Sequence, residues 1–111
     1  MNKYKILKKI LKITGIESIL LWFAMFILIT SYAIFIVENN AGNEMISKPF
    51  DAFYFALVTV CTVGFGDVIV ITTLGKILTI GLMLCGVLVI AIVTGIFASF
   101  YDELNNIKNK N

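Results

Sequence analysis

Residues Cys61 to Asp67 read Cys-Thr-Val-Gly-Phe-Gly-Asp, a run of small residues, two glycines and one carboxylate between two strongly apolar stretches. Gly64 and Gly66 stand two apart, each after a bulky apolar residue. Glycine accepts a left-handed backbone at little cost, so this spacing suits a strand whose conformation alternates from residue to residue. Such a strand can turn successive carbonyl oxygens to one side, and a row of carbonyls is a ligand set for a cation. Val63 and Phe65 would then send their side chains to the other side, into a packed cuff.

Other chemistry is poorly served. The chain has no His, its nine basic residues are all Lys, and its seven carboxylates are scattered. No general acid–base pair or nucleophile constellation emerges, which reads against an enzyme and calls for no cofactor. Cys61 and Cys85 lie in apolar segments, with no His or second Cys at metal-ligand spacing, and read as small buried hydrophobes. A phosphate loop at Gly64 to Gly66 would want a Lys or Ser and a following charged helix, and these are missing.

The elements that must hold this strand follow from hydropathy. Hydrophobic residues make up 59% of the chain and charged residues 14%, against about a quarter charged in soluble proteins. The 111 residues therefore describe one membrane-embedded unit. The uncharged run Ser18 to Val37 matches the ~20 residues a helix needs to cross a bilayer. A basic start and Ser31-Tyr32-Ala33 also suit a cleaved signal peptide, but Ile34 to Val37 stay apolar beyond that point. The outer helix is expected over about 16–38. The segment from Glu38 to Lys48, rich in Asn, Gly and Glu, then reads as a solvent-exposed loop.

Ser47 as a cap, Pro49 in the first turn and Asp51 at the positive end of the dipole start a helix over about 49–61. That helix is ~18 Å long, too short to cross the membrane, so the chain enters and returns. A second full span begins near Thr73 and runs to about residue 103, including the uncharged stretch Ile77 to Tyr101. The fold class is an all-α membrane protein, two transmembrane helices flanking a re-entrant half-helix and strand. Five lysines precede the first span and two follow the second, with only Lys48 and Lys76 between, which places both termini in the cytoplasm.

Residues 1–15 form a basic amphipathic helix, with Leu7, Ile10, Leu11 and Thr14 on one face and Lys5, Lys8, Lys9 and Lys12 on the other. It suits a cuff on the membrane surface rather than a nucleic-acid site. Irregular backbone at membrane depth must be buried in protein or line a water-filled path, and one copy cannot enclose a path. Several copies around an axis can.

Thr62-Val63-Gly64-Phe65-Gly66-Asp67 resembles the selectivity filter of potassium channels, in the variant with Phe in place of the commoner Tyr. The resemblance extends from about Ser18 to Phe100. It takes in Asp51 to Phe55 as a pore helix, Thr72 to Lys76 as the start of an inner helix, and Gly86 at the family's hinge-glycine position, which places it with the pore-lining and gating residues, while a small residue for close helix packing is an equal reading. It implies a homotetramer in the cell membrane that passes K⁺ through a pore domain over residues 16–111. The implied ligands are the carbonyls of Thr62, Val63, Gly64 and Phe65 and the Thr62 hydroxyl, with Gly66 completing the filter and Asp67 with Tyr54 as a supporting clamp.

Cys61, Val70 and Val58 depart from the commoner pattern, at positions that do not touch an ion. Val87, Ile90, Thr94 and Ala98 recur at helical spacing, and the resemblance turns this stripe toward the pore. Four residues further it reaches Asp102, with Glu103 beside it, at the inner mouth. A non-selective cation pore is the nearest alternative, but it would go with an altered filter residue. A pore module cut from a larger ligand-gated channel, with a gating domain beyond Asn111, is a further one.

Overall fold

The computed structural model describes residues 2–110, so Met1 and Asn111, the outer ends of the two expected segments, lie outside the described residues. Four helices follow in order: α1 over Lys3–Thr14, α2 over Ile16–Asn40, α3 over Pro49–Val60 and α4 over Thr73–Lys110. At 1.5 Å per residue, α2 spans ~38 Å and α4 ~57 Å, both more than a ~30 Å hydrocarbon core. α3 reaches only ~18 Å. The molecule is correspondingly long, 64 × 22 × 19 Å.

α3 lies between the two long helices, and its inward face is a stripe of small side chains. Ala52, Ala56 and Val60 recur every four residues and are buried against Ile27, Ile34, Ile46 and Leu82. Small residues let the helix axes approach closely, which is how packing is obtained where lipid removes most of the hydrophobic driving force. The start of α3 is held by Asp51 rather than capped by Ser47. The Asp51 carboxylate accepts from the backbone N–H groups of Ser47 and Lys48 at 3.2 and 3.1 Å, and Ser47 adds its hydroxyl as a donor at 3.3 Å.

Gly15, at φ 64°, ends α1 and begins α2 with a sharp change of direction. α1 does more than lie on a membrane surface, because it packs against α4. Its one buried residue is Ile6, flanked by half-buried Leu7, Ile10 and Leu11, whereas Thr14 is exposed and bonds back to Ile10. α4 also runs to Lys110, beyond the expected end near residue 103. Nothing from Asp102 onward is a Gly or Pro stop. Half-buried Phe100, Leu104 and Ile107 keep an apolar face going, and Lys108 and Lys110 suit the negative end of the dipole.

Candidate functional site

The strand after α3 is hung from the end of that helix by its own amides. The N–H of Thr62 donates to the Thr59 carbonyl at 3.1 Å, and those of Val63 and Gly64 donate to the Val58 carbonyl at 3.0 and 3.3 Å. No peptide in the described chain is cis. A trans peptide sets its carbonyl opposite its N–H, so the oxygens of Cys61, Thr62 and Val63 point away from the helix.

The backbone alternates as the glycine spacing requires, with φ 60° at Gly64 and 81° at Gly66. Thr62 joins them at φ 61°, giving positive φ at every second residue from 62 to 66. Glycine spacing alone marks only residues 64 and 66 for this conformation. For a β-branched residue it costs about 1–2 kcal/mol, and the helix-end hydrogen bonds on both sides of Thr62 hold it there.

One chain does not supply the expected cuff. Val63 and Phe65 are 53% and 69% exposed. Beside the strand lies a mostly apolar cleft of about 370 Å³, lined in part by Phe55, Val58, Thr79, Met83 and Val87. Cys61, expected to be buried, is exposed at the end of α3, because no other part of the chain covers that side. Cys85 is half-buried.

At the outer end of the strand the Tyr54 hydroxyl donates to the Asp67 carboxylate at 2.8 Å. This single bond links α3 to the last residue of the motif. Along α4, Val87, Ile90, Thr94, Ala98 and Asp102 are all exposed, left uncovered by their own chain. Gly86, by contrast, is buried against the end of α3, where an added Cβ would lie 2.6 Å from the Val60 carbonyl oxygen.

The loop after α2 hides a polar cluster that sequence reasoning missed. Glu38 is fully buried, and Asn43 is 5% exposed. One Glu38 carboxylate oxygen accepts from the Thr72 N–H at 3.1 Å and the Thr72 hydroxyl at 2.6 Å. The other accepts from the Ile71 N–H and the Asn43 amide, both at 2.9 Å. The Thr72 hydroxyl in turn accepts from the Gly75 N–H at 2.9 Å, which caps α4. Asn43 also donates to the Ile69 carbonyl at 2.8 Å.

All four partners of Glu38 donate, as an ionised carboxylate requires. The cluster therefore ties the outer loop and the segment after the filter to both long helices. A signal was present: Ile27, Thr30, Ser31, Ile34 and Glu38 recur at three or four, and all are buried. Glu38 continues the inward face of α2.

Two membrane-length helices, a half-length helix between them and a strand of alternating handedness define a pore-forming membrane unit. The model of a family described as "Ion channel" matches residues 19–103. The chain belongs to that ion-channel family, and its fold is that of a potassium-channel pore domain.

It is 36% identical over 78 residues to a voltage-gated potassium channel of Aeropyrum pernix, covering 70% of this chain and 26% of that protein. It is 29% identical over 100 residues to the calcium-gated potassium channel TvoK of Thermoplasma volcanium, covering 90% of this chain and 28% of the relative. A crystal structure of a voltage-gated K⁺ channel pore module, in a closed state in lipid membranes, is 30% identical. It matches with a TM-score of 0.70 over 78% of this chain and 90% of that one. The chain thus spans about a quarter of the length of these curated relatives, and most of the solved pore module.

Proposed function

We propose that the chain forms a potassium-selective pore, four copies around one axis, that lets K⁺ cross the membrane passively. The observation that carries this is the filter strand: positive φ at Thr62, Gly64 and Gly66, with the Thr62 and Val63 carbonyls turned away from the helix that anchors them. Carbonyls of Thr62, Val63, Gly64 and Phe65 would replace the hydration shell of K⁺, with the Thr62 hydroxyl as a further ligand at the cavity end. The short α3 directs its negative C-terminal end toward the same place, which favours a cation.

Assembly completes the site. Four strands are needed to surround an ion, and the exposed Phe65 and the apolar cleft beside the strand are surfaces that a neighbouring copy would cover. The stripe from Val87 to Ala98 would line the cavity below the filter, with Asp102 near its cytoplasmic mouth and both termini in the cytoplasm. The named potassium channels among the relatives support the choice of ion.

Mass measurement in detergent, paired with ion flux into vesicles, tests this. The chain should assemble as four copies of 12.3 kDa and carry Rb⁺ into vesicles. Gly64→Ala should keep the tetramer but lose most of the uptake, since a left-handed alanine costs about 1–2 kcal/mol in each chain. A monomer, or full uptake by the Gly64→Ala tetramer, would overturn the proposal.

A further inference from the structure

α4 is gripped by its own chain in its upper part and then left free. Its buried residues begin as Gly75, Thr79, Leu82 and Gly86, recurring every three or four positions, and do not resume until Ile96. Over residues 87–95 in between, Val89 and Val93 are half-buried and the rest are exposed. The upper grip is tight. An added Cβ at Gly86 would lie 2.6 Å from the Val60 carbonyl oxygen and 2.9 Å from the Val60 Cα, so backbone meets backbone there. A bend at Gly86 would press on the residue two before Thr62 or pull away from it, and either movement disturbs the filter.

The free stretch has its own weak point at Thr94 and Gly95. The Thr94 hydroxyl donates to the Ile90 carbonyl at 2.8 Å, one turn back in the same helix. Such back-bonding shares an acceptor with the helix ladder and loosens that turn. A glycine in a helix interior favours the helix about fivefold less than alanine does. Outside the helix's own backbone, nothing in the chain lies within 4 Å of a Cβ added at Gly95, so no contact of the chain accounts for a glycine there. Gly81 is equally open, and Thr79 bonds back to the Gly75 carbonyl at 2.7 Å, but buried Thr79 and Leu82 hold that turn inside the gripped segment.

We propose that Thr94 and Gly95 form the pivot of α4. The part above stays with the filter, and the part below, from Ile96 to Lys110, swings to change the width of the inner mouth. Bending is thereby placed away from Gly86, the position at which the family resemblance puts a hinge. The pivot rests on the four-copy pore proposed above. Asp102 lies ~10 Å beyond Gly95, so a ~20° bend moves it by ~4 Å in each copy and changes the distance between facing copies by ~7 Å.

Spin-label distances across the reconstituted full chain test this, with Asn105→Cys labelled on a Cys61→Ser, Cys85→Ser background. That parent should show two populations of cross-copy distance, about 7 Å apart. Gly95→Ala should shift their ratio toward the straight helix about fivefold per chain. Thr94→Val should shift it the same way, and Gly81→Ala should change it less than about twofold. A single narrow distance in the parent, no shift in Gly95→Ala, or an equal shift in Gly81→Ala would overturn the pivot. Loss of the tetramer in Gly95→Ala would overturn it too, by assigning that glycine to contact between copies. A parent without any cross-copy distance would instead overturn the assembly itself, a failure distinct from a single narrow distance.

Discussion

The hydroxyl of Thr72 donates to the Glu38 carboxylate at 2.6 Å, joining the end of the outer helix to the start of the inner helix across 34 residues of sequence. The same carboxylate receives the Ile71 amide and the Asn43 side chain, and Asn43 holds the Ile69 carbonyl. The segment leaving the filter is thus held at three successive places, residues 69, 71 and 72, by one buried acid and its neighbour. Gly75 belongs to this arrangement because a methyl group there would press on the Glu38 carboxylate and lie 2.7 Å from the Thr72 hydroxyl oxygen.

Glu38→Ala should lower stability by about 3 kcal/mol, since it leaves the donors of Asn43, Ile71 and Thr72 without their acceptor. Gly75→Ala should cost about 1–3 kcal/mol by overpacking. The two effects should not add, because removing the carboxylate clears the space that the new methyl needs. Thermal unfolding of the single and double variants, followed by circular dichroism in detergent, measures this. Strict additivity would contradict the shared contact.

Tyr54→Phe removes only the hydroxyl that donates to Asp67 at 2.8 Å. Both residues are at least partly accessible, so the loss of stability should be small. It should appear as a filter whose outer end yields more readily: macroscopic currents should decay faster than those of the parent, with assembly unchanged. Decay at the parental rate would mean that the bond does not brace the filter.

The glycines of α4 offer a contrast within one helix. Gly86→Ala would place a carbon 2.6 Å from the Val60 carbonyl oxygen, whereas an added Cβ at Gly81 or Gly95 meets nothing of its own chain within 4 Å. Gly86→Ala should therefore cost about 1–3 kcal/mol and displace the end of α3, two residues before Thr62. Where the added methyl stays free of neighbours, Gly81→Ala and Gly95→Ala should be neutral or stabilising by up to about 1 kcal/mol. Equal thermal stabilities for all three variants would remove the Val60 contact as the reason for a glycine at 86.

These sites differ in how far the sequence discloses them. The spans and the re-entrant helix follow from lengths of uncharged chain measured against a bilayer, and Gly64 and Gly66 announce an alternating backbone by spacing alone. Thr62 does not, because its positive φ is imposed by hydrogen bonds to Thr59 and Val58 that exist only once α3 has formed. Glu38 was hidden by company: the polar residues after it suggest a loop, while its own position continues the buried stripe through Ile27 and Ile34.

The packing of α1 on α4 was concealed for a related reason. A pairing between helices at the two ends of the chain leaves no local pattern. Gly86 was ambiguous because a glycine needed for close approach and one needed for bending look alike in sequence. The Val60 carbonyl beside it is what makes close approach the structural reason for a glycine there.

The central claim is that the backbone of residues 62–65 coordinates K⁺ in preference to smaller cations. It is tested most directly by the reversal potential of the reconstituted protein in a planar bilayer, with K⁺ alone on one side and Na⁺ alone on the other. Current should reverse far from zero, at a potential that holds K⁺ on its own side. A reversal potential near zero, in a protein that conducts and assembles as four copies, would contradict coordination by a K⁺-selective filter.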